Sequence, residues 1–119
     1  MAAERQEIYG NLVVVWSSQD QEVAENLVFM YTKNSKIKGW WKQVRLVVWG
    51  PSARLLATNE TLQKEIQELK AVGVGLQACK ACADRYGVSD KLSAMGIDVL
   101  YMGSPLTECL KEGWTVLTF

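Results

Sequence analysis

The chain has 119 residues, a length typical of a single domain and sufficient to bury roughly two thirds of the surface its unfolded form exposes. Hydrophobic residues make up 49% and charged residues 22%, which argues against a disordered or membrane-spanning class, and no apolar run approaches the ~20 residues a bilayer span needs. Thirteen basic and thirteen acidic side chains cancel, removing the broad positive field of a non-specific nucleic-acid binder, and the absence of histidine excludes Ser-His and Cys-His catalysis as well as histidine-ligated metals.

Residues 1–119 are expected to form one domain. The Met1–Gly10 segment lacks the apolar core of a secretory signal, so a cytoplasmic protein with its three cysteines reduced is expected. Leu12-Val13-Val14-Val15-Trp16 is a continuous apolar run, the pattern of a strand covered on both faces. Ser17-Ser18-Gln19-Asp20 follows with capping side chains, and Ser18 with Gln21 fits a capping box. Val23, Ala24, Leu27, Val28 and Tyr31 then recur at helical steps, predicting one buried face before the polar stretch from Asn34 to Gly39. Lys33, Lys36, Lys38, Lys42 and Arg45 read as a solvated loop and strand edge. Of the adjacent pair Trp40-Trp41, only one can point inward.

Val44 to Trp49 repeats the strand pattern and ends at the Gly50-Pro51-Ser52 turn, after which Ala53 to Ala57 forms a short helical turn. Thr58 or Asn59 caps a longer helix with Leu62, Ile66 and Leu69 on its inner stripe, closed by Gly73. The third strand, Val74 to Ala78, runs into Cys79 and a short helix stopping near Gly87. Ser89 or Asp90 caps another short helix ended by Gly96. Ile97 to Met102 is a fourth strand, Gly103-Ser104-Pro105 opens a helix through Leu106 and Leu110, and Trp114 to Phe119 is a fifth strand. Strict alternation of strand and helix predicts a three-layer α/β sandwich with a mostly parallel five-stranded sheet.

In such a sheet the carboxyl ends of the strands face the ligand crevice. Cys79 would emerge there at a helix start, whose partial positive charge favours a thiolate. Ser17, Ser18, Gly50 and Ser52 would line the same edge as substrate-binding residues, with Lys80 and Arg85 close enough to support an ionised sulfur. Cys82, three residues on, would share a helix face with Cys79 and could close with it as a dithiol–disulfide switch. Cys109 reads as a core-facing helix position. The three cysteines cannot complete a cysteine/histidine metal set, so neither metal nor cofactor is expected.

The strand ending in Trp16-Ser17-Ser18, the Val48-Trp49-Gly50-Pro51-Ser52 turn, and Cys79 followed by Arg85, Gly87 and Val88 together resemble the DsrE/DsrF-like family. The resemblance implies an α/β subunit of a homotrimer or homohexamer whose cysteine carries a persulfide between partner proteins. On that reading Cys79 is the sulfur-bearing residue, with a sulfur donor and a sulfur acceptor as partners. Such chemistry needs an accessible, ionisable thiol and little else, because the leaving group is itself a thiolate. A different class remains open from the residues alone: a homo-oligomeric module binding a small ligand or protein, in which Cys79 is incidental.

Overall fold

A computed structural model describes residues 10–119, so the expectation for the Met1–Gly10 segment falls, Gly10 apart, outside the described residues. Five strands, β1 (Asn11–Trp16), β2 (Gln43–Val48), β3 (Gly75–Cys79), β4 (Asp98–Leu100) and β5 (Thr115–Thr118), form one sheet in the order β4-β3-β2-β1-β5. Every pairing is parallel, as the strand–helix alternation predicts.

The order of strands decides how the two faces are covered. From β1 to β4 each strand is added on the same side of its predecessor, and right-handed crossovers then place every intervening helix on one face. The step from β4 to β5 runs back across the whole sheet, so its helix, α7 (Gly103–Lys111), covers the opposite face. The first face carries the larger core, in which Leu12, Val14, Trp16, Leu46, Val48 and Ala78 meet Val28, Leu56, Leu62, Ile66 and Leu92 from the helices. The second carries a thinner one of Val13, Val15, Val47, Cys79, Met102, Cys109 and Trp114. Odd and even strand positions therefore bury on different sides, as a period of two requires.

Between β1 and β2, α1 (Gln21–Val23) passes through a π-helical stretch, Ala24–Phe29, into α2 (Met30–Ile37). Asp20 caps its start by accepting from the N–H groups of Glu22 at 2.8 Å and Val23 at 3.1 Å. Ser18, expected to do so, instead accepts from the Asp20 N–H at 3.1 Å. The wider π turn adds about one residue per turn and rotates the following side chains. Phe29, Thr32 and Ser35 are buried in consequence, while Leu27, expected inside, is exposed. Trp41 is half-buried with its Nε1 donating to the Tyr31 hydroxyl at 3.2 Å, and Trp40 is exposed, dividing the pair as expected.

The helix expected over Ala53 to Ala57 is longer, α3 (Pro51–Thr58), with proline in its first turn. Asn59 caps α4 (Glu60–Ala71) through a 3.0 Å bond from the Leu62 N–H. After β3 come α5 (Lys80–Tyr86) and α6 (Ser89–Ala94). Neither Ser89 nor Asp90 caps α6; Val88 occupies that position and the Ser89 hydroxyl donates to Asp84.

Candidate functional site

Cys79 is the last residue of β3 and the capping position of α5, held at φ −70° and ψ 114°. The strand ends here because α5 must turn away from the sheet toward α3 and α6, and α5 itself stops at Gly87, whose φ of 69° and ψ of 30° suit a residue without a Cβ. Because Cys79 occupies an odd register position, paired with Leu100, its side chain falls on the thinner face. There it packs into the cluster containing Val15, Val47 and Met102 and is only 5% exposed.

Burial pushes the Cys79 thiol above its ordinary pKa. The backbone N–H groups of Cys82 and Ala81 act against that rise, and the Cys82 thiol adds to it. The lowering supplied by the helix start is thus outweighed, because removal from water disfavours the anion. Cys82 packs against the same cluster but is only half-buried, so the two thiols differ in access to solvent.

Lys80 and Arg85 do not deliver charge to this sulfur. The Lys80 ammonium bonds the Asp84 carboxylate at 2.8 Å across one helical turn and lies 5.8 Å from the exposed Tyr101 ring. That contact raises the pKa of Lys80 and, together with the Ser89 hydroxyl, lowers that of Asp84. Arg85 is exposed in the last turn of α5.

The four other crevice candidates do gather at the carboxyl edge, but their polar atoms are engaged in holding it together. Ser52 is fully buried and its hydroxyl donates to the Trp16 carbonyl at 2.5 Å, tying the start of α3 to the end of β1. The Ser17 hydroxyl and the N–H groups of Ser17 and Ser18 all converge on the Phe119 carbonyl, at 3.0, 2.6 and 3.1 Å. Gly50 adopts φ 79° with Ser17 3.9 Å from where a Cβ would stand. These bonds lock β1, β2 and β5 into a rigid rim beside the cysteine.

Arg45, expected on a solvated strand edge, is instead half-buried on the central strand β2 and belongs to a constellation on the thinner face. The Arg45 guanidinium lies 4.3 Å from the Trp114 ring and donates to the Cys109 sulfur at 3.4 Å. An arginine inside an apolar strand at an odd position was the available signal. Arg45 pairs with Gly75, four residues before Cys79, so this contact lies about 13 Å down the sheet from the carboxyl edge. Cys109 shares the apolar cluster of Cys79 but is engaged by Arg45, and among the described residues no group of three or more His, Cys, Asp or Glu could hold a metal ion.

A model of the DsrE/DsrF-like family matches residues 11–119. The chain belongs to the DsrE/DsrF-like family. The family is linked to sulfur relay. Among solved structures, this DsrE/DsrF-like chain is similar to the conserved protein of unknown function BT1422 from Bacteroides thetaiotaomicron, with 38% identity and a TM-score of 0.88 over 92% of this chain and 94% of that one. It shares its fold with the protein of unknown function MTH1491 from Methanobacterium thermoautotrophicum, at 18% identity and a TM-score of 0.80 over 93% of this chain and 100% of that one. No curated protein matches it. Among the described residues, no helix is long and apolar enough to cross a membrane.

Proposed function

We propose that this DsrE/DsrF-like protein is a sulfur carrier that holds a persulfide on Cys79 and passes its outer sulfur to a partner thiol. The observation that carries the reading is the position of Cys79: the last residue of a parallel strand, at the crevice edge of the sheet, with a second thiol beside it on the same helical turn. The exchange conserves sulfane oxidation state, so it needs neither a metal nor a histidine base. The apolar cluster in which Cys79 is buried excludes water, which protects a persulfide from stray thiols and oxidants. The partners are a donor that bears a persulfide and an acceptor that presents a thiol, both cytoplasmic.

We place the carrier in a homotrimer or homohexamer. Support comes from an apolar depression of about 290 Å³ on the helical segment before β2, where exposed Leu27, Met30 and Trp40 stand beside half-buried Tyr31. Large apolar side chains grouped in this way are characteristic of surfaces covered in an assembly.

Intact-mass measurement of the reduced protein after exposure to a persulfide donor tests the carrier reading. A stable one-sulfur adduct that is lost in Cys79→Ser is the expected result. Loss of two hydrogens with no sulfur retained, dependent on both Cys79 and Cys82, would replace the carrier by a thiol–disulfide switch. A Cys79 that takes up no sulfur and resists alkylation in the native state would leave a binding module in its place.

A further inference from the structure

The carrier reading leaves a problem of access. Attack on a donor persulfide requires the receiving sulfur to reach the outer sulfur of another molecule, yet Cys79 is 5% exposed and lies in the same apolar cluster as Val47 and Met102. Cys82 is less enclosed: it packs against the same cluster but is only half-buried, on a turn whose neighbours Ala81 and Arg85 are both exposed. Cys82 stands in the first turn of α5, which begins directly after Cys79, and its thiol acts on that of Cys79. The two sulfurs are thus neighbours, with Cys82 the more accessible to solvent.

We propose that Cys82 is the thiol that first receives sulfur from the donor, and that it hands the sulfur inward to Cys79 for storage. This rests on the carrier reading and assigns the order of events within it. In the first step the Cys82 thiolate attacks the outer sulfur of a donor persulfide. The bond between that sulfur and the donor breaks, the donor leaves as its thiolate, and Cys82 becomes a persulfide. In the second step the Cys79 sulfur attacks the same outer sulfur. The bond to Cys82 breaks, Cys79 becomes the persulfide, and the proton of the Cys79 thiol passes to the departing Cys82 sulfur. No oxidant or reductant enters, because one sulfur–sulfur bond is exchanged for another in each step.

The environment of Cys79 suits storage. A thiol whose pKa is raised by burial is the poorer leaving group, so a sulfur once bound there is retained. Once loaded, the sulfur sits where bulk thiols cannot reach it. Release follows the reverse path, so the outgoing sulfur also passes through Cys82 and is handed over only to an acceptor that approaches α5.

Lys80 separates the cysteines for trypsin, which places Cys79 and Cys82 in different peptides and makes the order measurable. Reduced protein is mixed with glutathione persulfide, quenched by acid and alkylation at successive times, digested, and the one-sulfur increment assigned to each peptide. Wild type is expected to carry sulfur first on the Cys82 peptide and later on the Cys79 peptide. Cys82→Ser and Cys82→Ala should both retain native thermal unfolding and full final occupancy of Cys79 but load it about tenfold more slowly or worse. Cys79→Ser should show the early Cys82 increment without accumulation.

Loading of Cys79 in both Cys82 variants at the wild-type rate would overturn the handover while leaving the carrier intact. Sulfur on neither peptide would end the carrier reading and this proposal with it. Formation of a Cys79–Cys82 disulfide with release of hydrosulfide, in place of transfer, would also refute the handover, because the thiol of Cys82 would then discharge the persulfide rather than supply it.

Discussion

Replacing Ser52 by alanine separates a structural rim from a substrate-binding one. The hydroxyl is fully buried and donates to the Trp16 carbonyl at 2.5 Å, with a longer 3.4 Å contact to the Trp49 carbonyl. Removing it does not orphan the main acceptor, because the Trp16 carbonyl also receives the Trp49 N–H at 3.0 Å. The loss is therefore one net hydrogen bond, about 1 kcal/mol, rather than that bond plus the cost of a stranded carbonyl. With an unfolding entropy of about 250 cal/mol/K for 119 residues, this lowers Tm by about 4 °C. Thermal unfolding followed by circular dichroism reads the shift, and uptake of sulfur from a persulfide donor is measured on the same samples. A lower Tm with unchanged uptake is expected. Unchanged Tm accompanied by lost uptake would show that the hydroxyl serves a bound substrate, and the structural account of the rim would be wrong.

Two further outcomes follow from the electrostatics. Glu65 is raised from its ordinary pKa first by burial and then by Glu25 and Glu68, and its Oε2 has no hydrogen-bond partner among the described residues. A raised pKa favours the folded state while the group is protonated, an advantage complete below the ordinary carboxylate pKa of ~4.3 and lost as pH rises through the folded value. Glu65→Gln should therefore gain stability relative to wild type on going from pH 4 to pH 7, as read by urea unfolding at both; a gap that does not change with pH would sink this reading. For Asp84, Lys80→Ala should move the carboxyl titration upward in a carbon-detected NMR titration, since the Lys80 hydrogen bond is the largest cause of its lowering and the Ser89 hydroxyl the next. A titration curve identical to wild type would place the cause elsewhere.

Much of the fold was legible because its signals are local. Apolar runs such as Leu12–Trp16 mark strands buried on both faces, Asn59 and Gly87 punctuate helices through short-range bonding and left-handed geometry, and alternation of strand and helix leaves a parallel sheet as the economical solution. The placement of Cys79 at a strand end came from the same punctuation. The register shift in the helical segment after β1 was not legible, since the pattern through Leu27 and Tyr31 fits an ordinary helix and carries no mark of the π turn at Ala24–Phe29.

The amino-acid sequence by itself determined which residues lie on strands, in which order they come, and that a cysteine stands where β3 gives way to α5. Only the tertiary structure decided what surrounds that cysteine. It lies in one apolar cluster with Val47 and Met102, which come from distant parts of the chain, and α7 crosses from one edge of the sheet to the other to cover that face. Desolvation and hydrogen-bond partnership are properties of such non-local contacts, so the rise in the Cys79 pKa and the engagement of Ser17 and Ser52 in the rim emerge only when the strands are assembled. The same assembly buries Cys79 and leaves Cys82 only half-buried, a distinction that two cysteines three positions apart in a sequence do not carry.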